Sequence, residues 1–201
     1  MMNAEVEALK TLLDGKIDRF PVDIDTICEN LGVKVFSYDI GAEVIERAHL
    51  YRAVRDTDGL AFYLKDTPVI LFNERRELRQ IMFTVAHELG HIVLKHVKPG
   101  DTTTIAHQGV KWNATPKETE ANQFAARLLA PPNVLWSMGI RKAEEIMKLC
   151  RVPKQAAEYS ALCITQLSRR KVTPLDSMEQ AVYRQFQLYI KRMWDTKWTA
   201  V

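Results

Sequence analysis

From Ile81 to Leu94 the chain reads IMFTVAHELGHIVL, and its only polar side chains there are Thr84, His87, Glu88 and His91. Leu78, Ile81, Met82, Val85, Leu89 and Ile92 recur at helical spacing as one apolar stripe, while Phe83 and Leu94 flank the histidines on the other side. A helix that is apolar on two sides belongs inside a core. This one carries two imidazoles and a carboxylate in with it. An unpartnered polar group in such a place costs about 2–7 kcal/mol, so the rest of the chain must supply partners.

The spacing indicates which partner. Residues four apart on a helix stand one above the other on the same face, so His87 and His91 can converge on one point. Two histidines and an adjacent glutamate in the order H-E-x-x-H have the arrangement of a zinc site. Glu88, directly after the first ligand, then lies beside the metal, where it can take a proton from water. The competing reading is an ordinary core in which the three groups bond one another.

Zinc of this kind needs a third protein ligand. The candidate segment is the helix expected from Pro116 to Ala130, whose apolar face is Ala121, Phe124, Ala125, Leu128 and Leu129. Glu118 and Asn122 sit at the edge of that face, one turn apart. Glu120, Gln123 and Arg127 fall opposite and are expected in solvent. Glu118 is therefore the predicted ligand, with Asn122 beside it to orient a histidine. Thr115-Pro116-Lys117-Glu118 also fits a capping box, which gives Glu118 a second available role.

Around this site the pattern predicts helices at 4–13 and 22–31 and strands at 33–38, 60–64 and 69–72, the last two forming a hairpin. The metal helix is expected from Glu74 to His96, stopped by Pro99 and Gly100. A polar loop at 101–115 and helices at 116–130, 141–149, 154–169 and 175–198 complete the reading. These elements predict an α+β fold with a small sheet of about three strands. They divide into a metal-binding domain at 1–135 and a helical region at 136–201. The net charge of +3 does not argue for nucleic acid. No apolar run reaches the roughly 20 residues a membrane helix needs. The N-terminus lacks a signal-peptide stretch, and Cys28, Cys150 and Cys163 are too few and too scattered for a disulfide framework. Together these predict a cytoplasmic protein.

The two motifs, FTVAHELGH at 83–91 and ETEANQFAARLLAP at 118–131, resemble the ImmA/IrrE family of metallopeptidases. The opening from Pro21 to Val35 and Leu71-Phe72-Asn73 before the metal helix are also similar to it. The resemblance implies a zincin-like helical core and a zinc endopeptidase, with the first glutamate of E-x-x-A-N as third ligand, in agreement with the face argument for Glu118. It further implies a regulatory protein substrate, a helix-turn-helix transcriptional repressor, in a mobile-element or stress setting.

Several weaker signals remain. His107, His96, Tyr51 and Arg52 are candidate oxyanion donors by residue type alone. Residues 144–159 look like a helix-turn-helix, although a packed helical pair is the favoured reading over DNA binding. The final helix carries an aromatic stripe that either packs on the chain itself or anchors a partner. The strand Val69 to Phe72 leads into the metal helix and is expected to take an extended substrate on its edge. The alternative to an enzyme is a zinc-containing regulator that binds DNA or protein without cleaving it. Such a zinc would more often be closed by four Cys or His side chains.

Overall fold

A computed structural model describes residues 4–55, 57–99, 105–107, 115–169 and 177–198. Helices α1 (Ala4–Asp14) and α2 (Ile24–Asn30) come first, followed by strand β1 (Lys34–Ser37) and two short helices, α3 (Ala42–Arg47) and α4 (Tyr51–Arg55). Strands β2 (Gly59–Leu64) and β3 (Thr67–Phe72) lead to α5 (Leu78–Val93) and strand β4 (Ile105–His107). The chain closes with α6 (Pro116–Leu129), α7 (Pro132–Ser137), α8 (Ala143–Cys150), α9 (Lys154–Arg169) and α10 (Ser177–Trp198). The fold is α+β, as expected.

The sheet has the order β1-β3-β2-β4. β2 and β3 form the antiparallel hairpin, with Leu60 opposite Leu71 and Ala61 opposite Ile70, and β1 runs parallel to β3. Alternation divides the side chains between two cores. Ala61, Ile70 and Val35 face the main core, which also holds α1, α5, α6 and the later helices. Leu60, Phe62, Val69, Leu71 and Phe36 face the other way, onto a smaller core closed by Ile45, Leu50 and Val54 of the α3–α4 segment.

This topology corrects two expectations. β4 lies within the stretch read as a loop, and it adds a fourth strand by pairing His107 with Gly59. β3 is interior, with β1 on one side and β2 on the other, so its backbone groups are already paired and it has no edge for a substrate.

Helix α5 is the centre of the molecule. Every residue from Phe83 to His91 is buried, because β2 and β3 cover one side and α6 covers another. The crossing with α6 is close enough to require glycine: a Cβ on Gly90 would lie 3.0 Å from Phe124 Cδ1 and 3.3 Å from Ala121 Cα. Helix α5 ends at Val93, earlier than Pro99 suggested. Lys95 takes a left-handed conformation (φ 59°). The amide of His96 then bonds back to His91 O at 2.8 Å and that of Lys95 to Ile92 O at 3.0 Å. This is a Schellman turn, and it folds His96 back over His91.

The helices after α6 pack into the same core. In α10, Val182, Phe186 and Ile190 are buried against the body, and Phe20 meets Phe186 at a centroid distance of 5.1 Å. Gln185 Nε2 donates to Leu12 O and Ile17 O at 2.8 and 2.7 Å. Most of the aromatic stripe thus packs internally; Trp194 near its end, and Leu188 off the stripe, are exposed. Helices α8 and α9 are a packed pair joined by three residues, with Ile146, Cys150, Val152, Ala156 and Ala157 buried between them and the body. On the outer side Lys154 and Glu158 form an exposed pair at 3.7 Å. The three cysteines are buried and free. Among the described residues no helix is long and apolar enough to cross a membrane.

Candidate metal centre

Two helices build the site. On α5, His87 and His91 stack one turn apart with their Nε2 atoms 3.0 Å from each other. On α6, Glu118 reaches across, placing Oε2 3.2 Å from His87 Nε2 and Oε1 3.3 Å from His91 Nε2. The cap of α6 makes this reach possible. Thr115 Oγ1 accepts the amide of Glu118 at 3.2 Å, with Pro116 in the first turn. The hydroxyl satisfies the helix end, and the Glu118 carboxylate turns to the histidines. His87 and His91 are fully buried and Glu118 is partly buried.

The outward nitrogens decide what the inner ones can do. His87 Nδ1 lies 3.0 Å from Asn122 Oδ1. A carbonyl oxygen only accepts, so Nδ1 carries the proton and Nε2 presents a lone pair. His91 Nδ1 lies 3.0 Å from His96 Nδ1, and His96 Nε2 lies 2.9 Å from Glu120 Oε2. Two imidazole lone pairs and a carboxylate therefore converge on one point, and such a set is complementary to a cation. The separations fit as well, since ligands held about 2.0–2.1 Å from a tetrahedral zinc lie about 3.3 Å apart. His87, His91 and Glu118 are the group among the described residues that could hold a metal ion.

Glu88 supplies the second test of fit. Its side chain is fully buried, and neither carboxylate oxygen has a hydrogen-bond partner of good geometry among the described residues. Burial first, and then the negative charge of Glu118, push its carboxyl well above the usual range, and the nearby Ala61 backbone offsets only part of this. A buried carboxyl with no partner of good geometry among the described residues, next to three converging candidate ligands, fits a site for a water and a metal. β2 approaches it closely. A Cβ on Gly59 would collide with Thr84 Cγ2 and lie 3.4 Å from Glu88 Cγ.

A model of peptidase family M78, described as the IrrE N-terminal-like domain, matches residues 28–161, about two thirds of the chain. The chain belongs to this family. Comparison with curated proteins and with solved structures returns no significant match. Both helices that carry His87, His91 and Glu118 lie inside the matched span, which supports a metallopeptidase.

Two residues of α6 were misread from sequence. Glu120 is not in open water but pairs with the largely buried His96. Arg127 is buried and bonds to Glu179 Oε1 of α10 at 2.7 Å. The reason is common to both: α6 is enclosed by α1, α5 and α9, so it has no single solvent face. His96, considered as an oxyanion donor, stands behind His91 on the side away from the converging ligands. Tyr51 and Arg52 are exposed on α4, which packs on the sheet face opposite α5. The His107 side chain lies outside the described residues. The contact that His96 makes has a weak sequence signal, a histidine five residues after His91, and Lys95 gave no warning of the left-handed turn that places it.

Proposed function

We propose that this chain is a zinc-dependent endopeptidase in which His87, His91 and Glu118 hold the ion and Glu88 is the general base. The observation that carries this reading is the buried, unpartnered Glu88 carboxylate beside three converging acceptors. Zinc bound there would supply a Lewis acid that polarises the scissile carbonyl and acidifies a water. Glu88 takes the proton of the attacking water and delivers it to the departing amine, and its raised affinity for protons suits a group that must hold one between the two steps. Asn122 fixes the ring of His87, so that the lone pair stays aimed inward. A zinc-containing regulator without peptidase activity would leave Glu88 buried with no task.

An extended substrate would lie along β4 rather than β3. β1 and β4 are the outer strands of the sheet, and β4 is the one that pairs with Gly59, against which Glu88 is packed. The proposed substrate is a helix-turn-helix transcriptional repressor, the class that the family resemblance implies. The test is to incubate the zinc-loaded protein with a panel of such repressors and with unfolded casein. Cleavage of one repressor at discrete sites, abolished in Glu88→Gln, is expected. Indiscriminate digestion of casein with no repressor preference would contradict the substrate class, and unchanged cleavage by Glu88→Gln would contradict the mechanism.

A further inference from the structure

His91 is held from behind by a chain of its own, different in kind from the amide that holds His87. Its Nδ1 meets His96 Nδ1 at 3.0 Å, and His96 Nε2 meets Glu120 Oε2 at 2.9 Å. The direction of the protons follows from the far end. A carboxylate only accepts, so His96 Nε2 donates to Glu120. Neutral His96 then has a lone pair on Nδ1, which can only accept from His91 Nδ1–H. That leaves His91 Nε2 without a proton and facing His87 and Glu118. With both imidazoles neutral, each link is satisfied in one arrangement, and reversing any link leaves two donors or two acceptors facing each other.

The backbone places this chain independently of the side chains. The Schellman turn at Lys95 returns the chain over the last turn of α5 and seats His96 on His91. Its side chain is largely covered, with 7% exposed. Lys117 Nζ donates to His96 O at 3.4 Å, which ties the same turn to the start of α6. Glu118 and Glu120, two residues apart on α6, thus serve the same histidine from opposite sides, one at Nε2 and the other through His96.

We propose that His96 and Glu120 are positioning residues for the metal centre, fixing the tautomer and orientation of the ligand His91 through a carboxylate–histidine–histidine chain. This rests on the metal reading above. Carboxylates that bond directly to a metal-bound histidine raise metal affinity about 10–100-fold. An interposed imidazole extends the same effect by one link and adds the rigidity of the turn.

The experiment measures zinc affinity by chelator competition, together with the histidine nitrogen shifts of the zinc-loaded protein by NMR, for wild type, His96→Phe, His96→Gln, Glu120→Gln and Glu118→Ala. Thermal unfolding of the metal-free proteins identifies any variant that fails to fold. His96→Phe keeps the bulk and removes the acceptor, so zinc binding is expected to fall about 10–100-fold. His96→Gln restores an acceptor oxygen and is expected to recover most of it. Glu120→Gln, at a partly exposed position, is expected to fold normally, weaken zinc and shift the His91 Nδ1 resonance. Wild-type zinc affinity and an unchanged His91 signal in both His96→Phe and Glu120→Gln would overturn the proposal while leaving the metal site standing, provided Glu118→Ala loses zinc. Full zinc binding by Glu118→Ala would overturn both.

Discussion

Helix α6 carries buried polar groups at both ends and resolves them in opposite ways. At its C-terminal half Arg127 meets Glu179 at 2.7 Å, while Asn133 Nδ2 donates to Glu179 O at 2.8 Å. Cation faces anion and donor faces acceptor, and this ties α6 and α7 to α10; one donor, Arg127 Nε, and one acceptor, Asn133 Oδ1, are left without a partner among the described residues, so the cluster stays balanced. At the N-terminal end Glu118 faces two imidazole lone pairs, and Glu88 lies beside them without a hydrogen-bond partner of good geometry among the described residues. Three acceptors converge there. Burial is similar in the two places, so burial does not separate a structural cluster from a binding site. The balance of donors and acceptors does, because a surplus of inward acceptors is complementary to a cation.

Breaking the closed cluster is expected to have the largest effect on stability. Glu179→Ala leaves Arg127 buried and uncompensated, which costs about 3–5 kcal/mol, whereas Glu118→Ala, which removes an acceptor from the open cluster, should lose zinc with little loss of metal-free stability. Chemical denaturation of the two metal-free variants makes the comparison, and equal destabilisation would erase the distinction. The closed cluster also means that removing residues after Leu175 should unfold the protein, because Val182 and Phe186 are core residues.

Next in size is Glu88→Gln. Its zinc content should match wild type, and its peptidase rate should fall on the order of 10²–10⁴-fold, the usual contribution of a general base. Elemental analysis and a cleavage assay on the same preparation separate the two properties.

A smaller effect is expected where the helices meet. Gly90→Ala puts a methyl group 3.0 Å from the Phe124 ring, an overpacking that costs about 1–3 kcal/mol. Because the α5–α6 distance sets the reach of Glu118, zinc affinity should fall with it. Thermal unfolding and chelator competition should move together in this variant.

The subtlest expectation concerns pH in the metal-free protein. The Glu88 carboxyl binds its proton more tightly folded than unfolded. Below the ordinary carboxylate value both states hold the proton and no penalty arises. As pH rises above it the unfolded chain ionises first, so stability falls until the raised folded value is passed. This slope should be absent in Glu88→Gln, and its persistence there would assign it to another group.

The residues that sequence reasoning expected together, and that do lie together, are those whose geometry is local. His87, Glu88 and His91 lie within one turn and a half of one helix, and Asn122 follows Glu118 by one turn, so helical spacing alone aligns them. Glu120 and Arg127 were misplaced because face arguments assume one dry side, whereas α6 is enclosed by three helices. The interior position of β3 was hidden for a different reason. Its parallel pairing with β1 joins strands separated by more than 30 residues, and no local pattern encodes that register. Helices α3 and α4, of six and five residues, are too short to show a period.

The central claim is that His87, His91 and Glu118 together form a zinc site. Anomalous scattering at the zinc absorption edge, from crystals of the zinc-loaded protein, tests it directly. A single strong peak about 2.0–2.2 Å from His87 Nε2, His91 Nε2 and a Glu118 oxygen, with Glu88 beside it but not bound to it, is the expected result. A peak coordinated by Glu120 or Glu88 in place of Glu118, or no peak between the two histidines, would contradict the account.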